Sequence, residues 1–285
     1  MSAILFLSIP LAAIAAPEAR LFLSSGSGAY QVGKDFSTRL ILSSGGATIN
    51  AAETKIKFDP KFLKVKRLNK DGSIFNLWPI EPKFSNTDGA IILAGGSPKN
   101  FRDTAGVIIN ILFTPLKTGL AAVELSASSS LILQADGRGK NILKETWTAN
   151  FILGDATTVQ NTKAFTKKFS GRILLDTQKN GEAWYVFPDD LKRYFLGRPE
   201  DAFNLMRKLG LGVKHSYIEG HTVFPANVAG KILIDVEDNG RAYYVNLLDR
   251  KAHYLGRPGD AFFVMRSLGL GIKTSDLNKI ADWTI

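Results

Sequence analysis

The chain has 285 residues, of which 45% are hydrophobic and 22% charged. That balance excludes disorder along the whole length and leaves room for two domains or three small ones. The sequence has no cysteine, which excludes disulfides, thiolate catalysis and Cys-based metal sites. The net charge of +10 is spread out, with 17 Lys+Arg against 11 Asp+Glu in residues 1–154 and 19 against 15 in residues 155–285. A nucleic-acid binder carries a denser basic stripe, whereas diffuse charge fits attraction to polyanions such as cell-wall polymers, and fits an ordinary soluble surface equally well.

Residues 3–16, AILFLSIPLAAIAA, are apolar throughout. They are too short for a standard membrane-spanning helix, and they end in Ala13-Ile14-Ala15, a small-x-small pattern that suits signal peptidase. Residues 1–16 therefore read as a secretory signal peptide of an exported bacterial protein, although no Lys or Arg precedes the run. A buried N-terminal strand is the alternative. No second apolar run approaches membrane length, so no membrane span is expected in the mature chain.

Residues 18–153 read as β throughout. Strand-like runs fall at Ala19–Leu23, Phe36–Leu42, Thr54–Phe58, Leu63–Leu68, Ala90–Ala94, Gly106–Phe113, Gly119–Leu125 and Ser130–Gln134. Turn-forming clusters such as SSGSG, FDPK, NKDGS and DGRG separate them. KIKFDP (55–60) alternates charged and apolar residues, as a strand with one wet face does. GVIINILF (106–113) is nearly all apolar and suits a central strand. Many short strands in this length predict a β-sandwich. Trp78 falls in FNLWPIEPKF (75–84), read as a long loop, where it either contacts a partner or plugs the sandwich edge.

The segments YQVGKDFSTRLIL (30–42), INAAETKIKFDPKFLKV (49–65), GAIILAGG (89–96), AGVIINILFTPLKTGLAAVELS (105–126) and DGRGKNIL (136–143) together resemble a bacterial cohesin domain, the module with which cellulosome scaffoldins grip dockerins. The likeness spans residues 28–153. It implies a jelly-roll β-sandwich and a non-catalytic module that binds a protein or glycan through a sheet face. The motifs are sandwich-building ones: in the FDP corner Pro60 presets φ and Asp59 accepts backbone N–H bonds. They support the fold more directly than the function, and they mark no partner-contact residue.

Residues 154–170, GDATTVQNTKAFTKKFS, are polar and read as a linker. A tandem duplication follows. Residues 171–214 and 230–273 align at a constant offset of 59 with 25 of 44 positions identical. Each copy reads as an α+β unit: a strand, an Asn-Gly hairpin turn (Asn180-Gly181, Asn239-Gly240), a second strand, a short third strand and a helix. LGRPxDAFxxMRxLGLG supplies that helix. Pro199 and Pro258 suit its first turn, Glu200, Asp201 and Asp260 suit its positive end, and Gly210 and Gly269 end it. Ala202, Leu205, Met206 and Leu209 give the apolar face, matched by Ala261, Val264, Met265 and Leu268. Residues 215–229 read as an inter-repeat segment and 274–285 as a tail.

The repeats carry the candidate binding residues. In alternating strands half of the aromatics point away from the core, so Trp184, Tyr185 and Tyr194, matched by Tyr243, Tyr244 and Tyr254, are candidates for stacking on sugar rings or forming contact hot spots. Phe195 and His253 complete the aromatic set. The N-G-x-A-[WY]-Y-V hairpin is loosely similar to aromatic cell-wall-binding repeats. Arg198 and Arg257 are candidate anion or sugar contacts, with ion pairing to Asp201 or Asp260 as the structural alternative; Arg207 and Arg266 fall off the apolar helix face. No catalytic or metal site is read. His215 and His221, with Glu219 between, lack a third ligand, and no G-x-S-x-G elbow or phosphate loop occurs. The sequence thus predicts a secreted or surface-bound, non-enzymatic scaffold without a cofactor, its partner a dockerin-like protein. The alternative is a polysaccharide-binding accessory protein whose repeats anchor it to glycan, working with a partner hydrolase.

Overall fold

The computed structural model describes residues 18–197, 199–256 and 258–283. The expected signal peptide, Arg198 and Arg257 lie outside them.

Two sheets build the N-terminal half. One has the spatial order β10 (Leu143–Thr146), β1 (Ala19–Ser24), β3 (Phe36–Ser43), β8 (Gly106–Pro115), β5 (Leu63–Asn69). The other has the order β2 (Ser27–Gln31), β11 (Ala149–Gly154), β9 (Gly119–Gln134), β4 (Ile49–Phe58), β7 (Ala90–Phe101), β6 (Leu77–Ser85). Period-2 alternation decides what lies between them: Thr54, Ile56 and Phe58 of β4 point inward while Glu53, Lys55 and Lys57 face out. Aromatic rings fill one end of this core, with Phe36 stacked on Tyr30 at 3.8 Å and edge-on to Phe151 at 5.0 Å. The FDP corner forms as read. Asp59 Oδ1 accepts the Lys61 N–H at 2.8 Å, and Gly89 (φ +61°) lies so close to the Phe58 carbonyl that no side chain fits there.

Three local expectations are corrected. The predicted loop around Trp78 is strand β6, paired antiparallel with β7 through two register shifts. Pro79 and Pro82 are tolerated because β6 is an edge strand. The runs at 119–125 and 130–134 form one long strand, β9. The predicted linker is largely helix α1 (Ala156–Lys167), whose N-cap Asp155 accepts the Thr158 N–H and hydroxyl at 2.7 and 2.8 Å. Thr162 and Thr166 donate their hydroxyls to carbonyls four residues back, so a threonine-rich segment of low helix propensity still satisfies its polar groups.

The first repeat forms β12 (Ile173–Asp176), β13 (Glu182–Val186), β14 (Arg193–Phe195), α2 (Pro199–Leu209) and β15 (Leu211–Val213). After α3 (His215–Glu219), the second forms β16 (Ile232–Asp235), β17 (Arg241–Val245), β18 (Ala252–Tyr254), α4 (Pro258–Leu268) and β19 (Leu270–Ile272). Both hairpin turns hold Asn at positive φ, 50° for Asn180 and 53° for Asn239. The last strand of each repeat joins the other's sheet: β15 pairs in parallel with β16, Leu211 opposite Leu233, and β19 pairs with β12, Leu270 opposite Leu174. The repeats therefore share one core. Ile173, Tyr185, Leu205 and Met206 of the first pack with Ile232, Tyr244, Ala261 and Val264 of the second. At its centre Gly171 (φ +74°) and Gly230 (φ +78°) pass so closely that a Cβ on Gly171 would sit 2.8 Å from the Gly230 Cα.

The repeat pair docks on the sandwich through the first copy. After α5 (Thr274–Leu277), the tail forms β20 (Asp282–Trp283), which extends the first repeat's sheet beside β14. Asp282 accepts the backbone N–H groups of Gly26 and Ser27, while the Ser27 hydroxyl donates to the Ile280 carbonyl at 2.6 Å. Every residue of β1 is buried, where a half-covered strand alternates, because Trp147 and Phe195 lie over Arg20 and Trp147 over Phe22.

Candidate functional site

The outer face of the β10-β1-β3-β8-β5 sheet is occupied along β1 and β3. Arg20 reaches over the rings of Trp147 and Phe195 at 5.2 and 5.5 Å, Trp147 lies edge-on to Phe195 at 5.1 Å, and Arg39 lies over Trp283 at 4.2 Å. Asn204 of α2 donates to the Thr104 hydroxyl at 3.1 Å. The first repeat and the tail therefore cover the β1 and β3 part of this face.

The outer face of the opposite sheet stays open along β4 and β9. Lys57 of β4 faces Glu124 of β9, and Leu120 of β9 faces Ile152 of β11 across the ladder. Leu120 is 74% exposed. Next to it, Lys57, Asp59, Phe62 and Glu124 line an open cleft of about 380 Å³. An exposed large apolar side chain ringed by both charge signs is the kind of surface that partner proteins cover.

The predicted aromatic residues divide by exposure. Trp184, Tyr185, Tyr194 and Tyr244 are buried, which corrects the expectation that half of the set faces solvent. The reason is that neighbouring elements cover both sides of the first repeat's sheet. Tyr185 and Tyr244 point into the shared core and donate to the carbonyls of Gly230 and Gly171 at 2.7 and 2.9 Å. Burial pushes the Tyr185 phenol well above its ordinary pKa and that of Tyr244 up to about 12. The Tyr194 hydroxyl donates to Asp190 at 2.6 Å. Trp184 lies on the sandwich side, 6.3 Å from Trp147, with the Arg193 guanidinium over its ring at 4.4 Å. Buried Arg193 in turn lies 3.8 Å from half-buried Asp282. Burial pulls the arginine's pKa down and pushes the carboxyl's up.

Tyr243 and Tyr254 differ. They are the second repeat's counterparts of Trp184 and Phe195, their rings are 5.4 Å apart, and no sandwich lies over them. Tyr254 is 41% exposed and Tyr243 half-buried. Trp78 packs against the sandwich core edge-on to Phe75 with Lys70 near its ring.

The inter-repeat histidines are not free linker residues. His215 caps Asp235 at 2.6 Å through Nδ1 and faces Glu219 at 3.1 Å through Nε2. The hydrogen bond to Asp235, followed by the charge of Glu219, raises its pKa, and the same bond lowers that of Asp235. With both ring nitrogens engaged by carboxylates, this pair has no nucleophile to activate. His215, Asp235 and Asp238 bring donor atoms within 4.8 Å of one another, yet Asp238 is already paired with Arg241 at 2.6 Å. His221 stands apart, bonded to the Tyr217 carbonyl and stacked on Phe224. The residues that join the two bodies, Arg20, Arg39, Trp147, Asp282 and Trp283, are not legible as contacts in the sequence. Only the pairing of Tyr185 with Tyr244 and of Gly171 with Gly230 carries a signal, their identity at the repeat offset.

No family model matches the chain, and no curated protein matches it. Several solved structures are similar to its sandwich half. A cohesin in the Coh-OlpC–Doc435 complex from Clostridium thermocellum matches at 13% identity over 51% of this chain and 99% of its own, with a TM-score of 0.42. A non-cellulosomal cohesin from the archaeon Archaeoglobus fulgidus matches at 13% over 50% and 96%, with a TM-score of 0.41. The seventh ScaB type I cohesin from Pseudobacteroides cellulosolvens matches at 14% over 49% and 94%, with a TM-score of 0.41. The chain joins an all-β sandwich to two α+β repeats that share a core.

Proposed function

We propose that the chain is a non-catalytic binding protein whose sandwich takes a dockerin-like protein on the open β2-β11-β9-β4-β7-β6 face. The observation that carries this reading is the asymmetry of the sandwich: one sheet is covered along β1 and β3 by the first repeat and the tail, and the other presents Leu120 amid Lys57, Asp59 and Glu124. The likeness of residues 28–153 to cohesins supports the choice of partner class. The test is calorimetric titration of the protein with a panel of purified dockerin modules. Binding to at least one, lost in Leu120→Asp and kept in Tyr254→Ala, is the expected result. A folded protein that binds none of them would sink the reading.

A second reading rests on Tyr243 and Tyr254. They form a partly exposed aromatic pair, Tyr254 exposed and Tyr243 half-buried, where Trp184 of the first repeat is covered, and accessible rings suit stacking on sugars. On this reading the repeats hold a cell-wall glycan and the sandwich faces outward at the surface of an exporting cell. Retention of the protein by isolated wall polysaccharide should then fall in Tyr254→Ala; retention equal to that of the parent would count against it.

A further inference from the structure

Between the sandwich and the first repeat lies an open cleft of about 430 Å³. Its walls are apolar, from Ile41, Ala105 and Leu209, with the rings of Tyr194 and Trp283 at its sides. Its polar groups are cationic: Arg39 from β3 and Lys208 from the last turn of α2. A third cation, Lys192, lies 3.6 Å from the Trp283 ring centre.

None of these three cations pairs with a carboxylate among the described residues. Carboxylates close to them in sequence or along the seam are engaged by other groups: Asp35 by Lys66 and Thr114, Asp190 by the Tyr194 hydroxyl and the Lys192 backbone amide, and Asp282 by Arg193 and the Gly26 and Ser27 amides. Arg39 is the most telling of the three. Its Nε is buried and has no hydrogen-bond partner. A guanidinium has five donors in a fixed fork that matches the geometry of a carboxylate, sulfate or phosphate. A buried donor left unpaired is costly, and the Trp283 face satisfies charge without accepting a hydrogen bond. Arg39 as a whole is half-buried and lines the cleft, so the accessible end of its fork is what an anion there would take.

We propose that this interdomain cleft binds an oxyanion, carried on a small ring-sized molecule, with Arg39 and Lys208 as its ligands. The volume is that of a small-molecule site. The apolar walls and the two rings suit the carbon skeleton of an acidic sugar, whereas the same cations also suit a free inorganic anion. The site is separate from the open sheet face and from Tyr254, and it does not depend on either being a binding surface.

The test titrates the full chain by calorimetry with galacturonate, inorganic sulfate and uncharged galactose. Binding of at least one anion with a Kd of ~1 mM or tighter, weakening as salt is added, is expected, with galactose inert. Tighter binding of galacturonate than of sulfate identifies an acidic sugar as the source, and the reverse a free anion. Lys208→Gln should weaken the anion roughly tenfold, the loss of one charge-assisted contact. It sits on the exposed face of α2, so its folding is not at issue even where Arg39→Gln loosens the seam at Trp283. Lys140→Gln, on a distant sandwich loop, should change nothing. The proposal is overturned if neither anion binds by ~10 mM, if galactose binds as well as galacturonate, or if Lys208→Gln and Arg39→Gln both bind like the parent.

Discussion

The Tyr185 hydroxyl donates to the Gly230 carbonyl, and at the equivalent place in the second copy Tyr244 donates to the Gly171 carbonyl. The two bonds cross the axis that relates the repeats, so each copy holds the other's first residue in place. Removing either hydroxyl leaves a buried carbonyl short of a donor. Tyr185→Phe and Tyr244→Phe should each lower stability by about 1–2 kcal/mol, by similar amounts because the sites are equivalent. Urea denaturation of the two variants checks this; a large difference between them would deny the equivalence.

The same axis passes between Gly171 and Gly230, both at positive φ and in mutual backbone contact. Gly230→Ala should cost at least ~2 kcal/mol, combining left-handed strain with a clash against backbone that cannot move aside. Gly240→Ala, at positive φ in an open hairpin with nothing near its Cβ, should cost distinctly less. The difference between the two melting temperatures isolates the close approach from the φ requirement.

Strand exchange gives a prediction about fragments. A peptide of residues 171–214 has β12 with no β19 beside it, and a β15 with no sheet to join. Two such peptides can supply each other with the missing edge, so the fragment should run as a dimer in light scattering. A folded monomer would mean that β15 can fold back on its own sheet.

His215 and Asp235 make stability depend on pH at one repeat only, since Thr274 stands in the equivalent position and donates to Asp176 at 2.7 Å. The histidine's folded pKa is raised, so its contribution is complete below the unfolded value of 6.5 and is lost as pH rises through the folded one. The aspartate's folded pKa is lowered, so its contribution is present above 3.8 and lost as pH falls. His215→Thr should therefore be most destabilising near about pH 5.5 and close to neutral at about pH 9. Chemical denaturation at the two pH values reads the difference directly.

Asp282→Ala should leave Arg193 buried without a counter-charge and the Gly26 and Ser27 amides without an acceptor. A loss of about 3–5 kcal/mol is expected for the docking of the repeats on the sandwich. The signature is the separation of one unfolding transition into two in calorimetry, with new proteolytic cleavage near residue 155. A single undivided transition would place the docking energy elsewhere.

Much of each unit was legible in the sequence, and little of how the units meet. Strands such as β4 were readable because Lys55, Lys57 and Glu53 alternate with Ile56, Phe58 and Thr54, a local pattern. The repeat helices were readable from Pro199 and Gly210 and from the spacing between Ala202 and Leu209. Helix α1 was not, because its apolar periodicity is weak and its stability comes from the Asp155 cap and from threonines bonding back to the backbone. Strand β6 was hidden by its prolines, which an edge position tolerates. The burial of the aromatic candidates is not legible, because alternation says which residues share a face and not whether that face is covered. Trp184 and Tyr243 occupy the same position in the two copies, and the packing of Trp147, Leu277 and Ile280 around one of them makes it interior.

The exchange of β15 and β19 also fixes how many copies such an array can contain. In a solenoid each unit leans on the next, and one more can be added at either end. Here each unit's last strand completes its mate's sheet, which closes the pair upon itself. A third copy would arrive with an unfilled edge and an unplaced strand. Arrays of this unit should therefore grow by twos, and losing one copy removes a wall from the other.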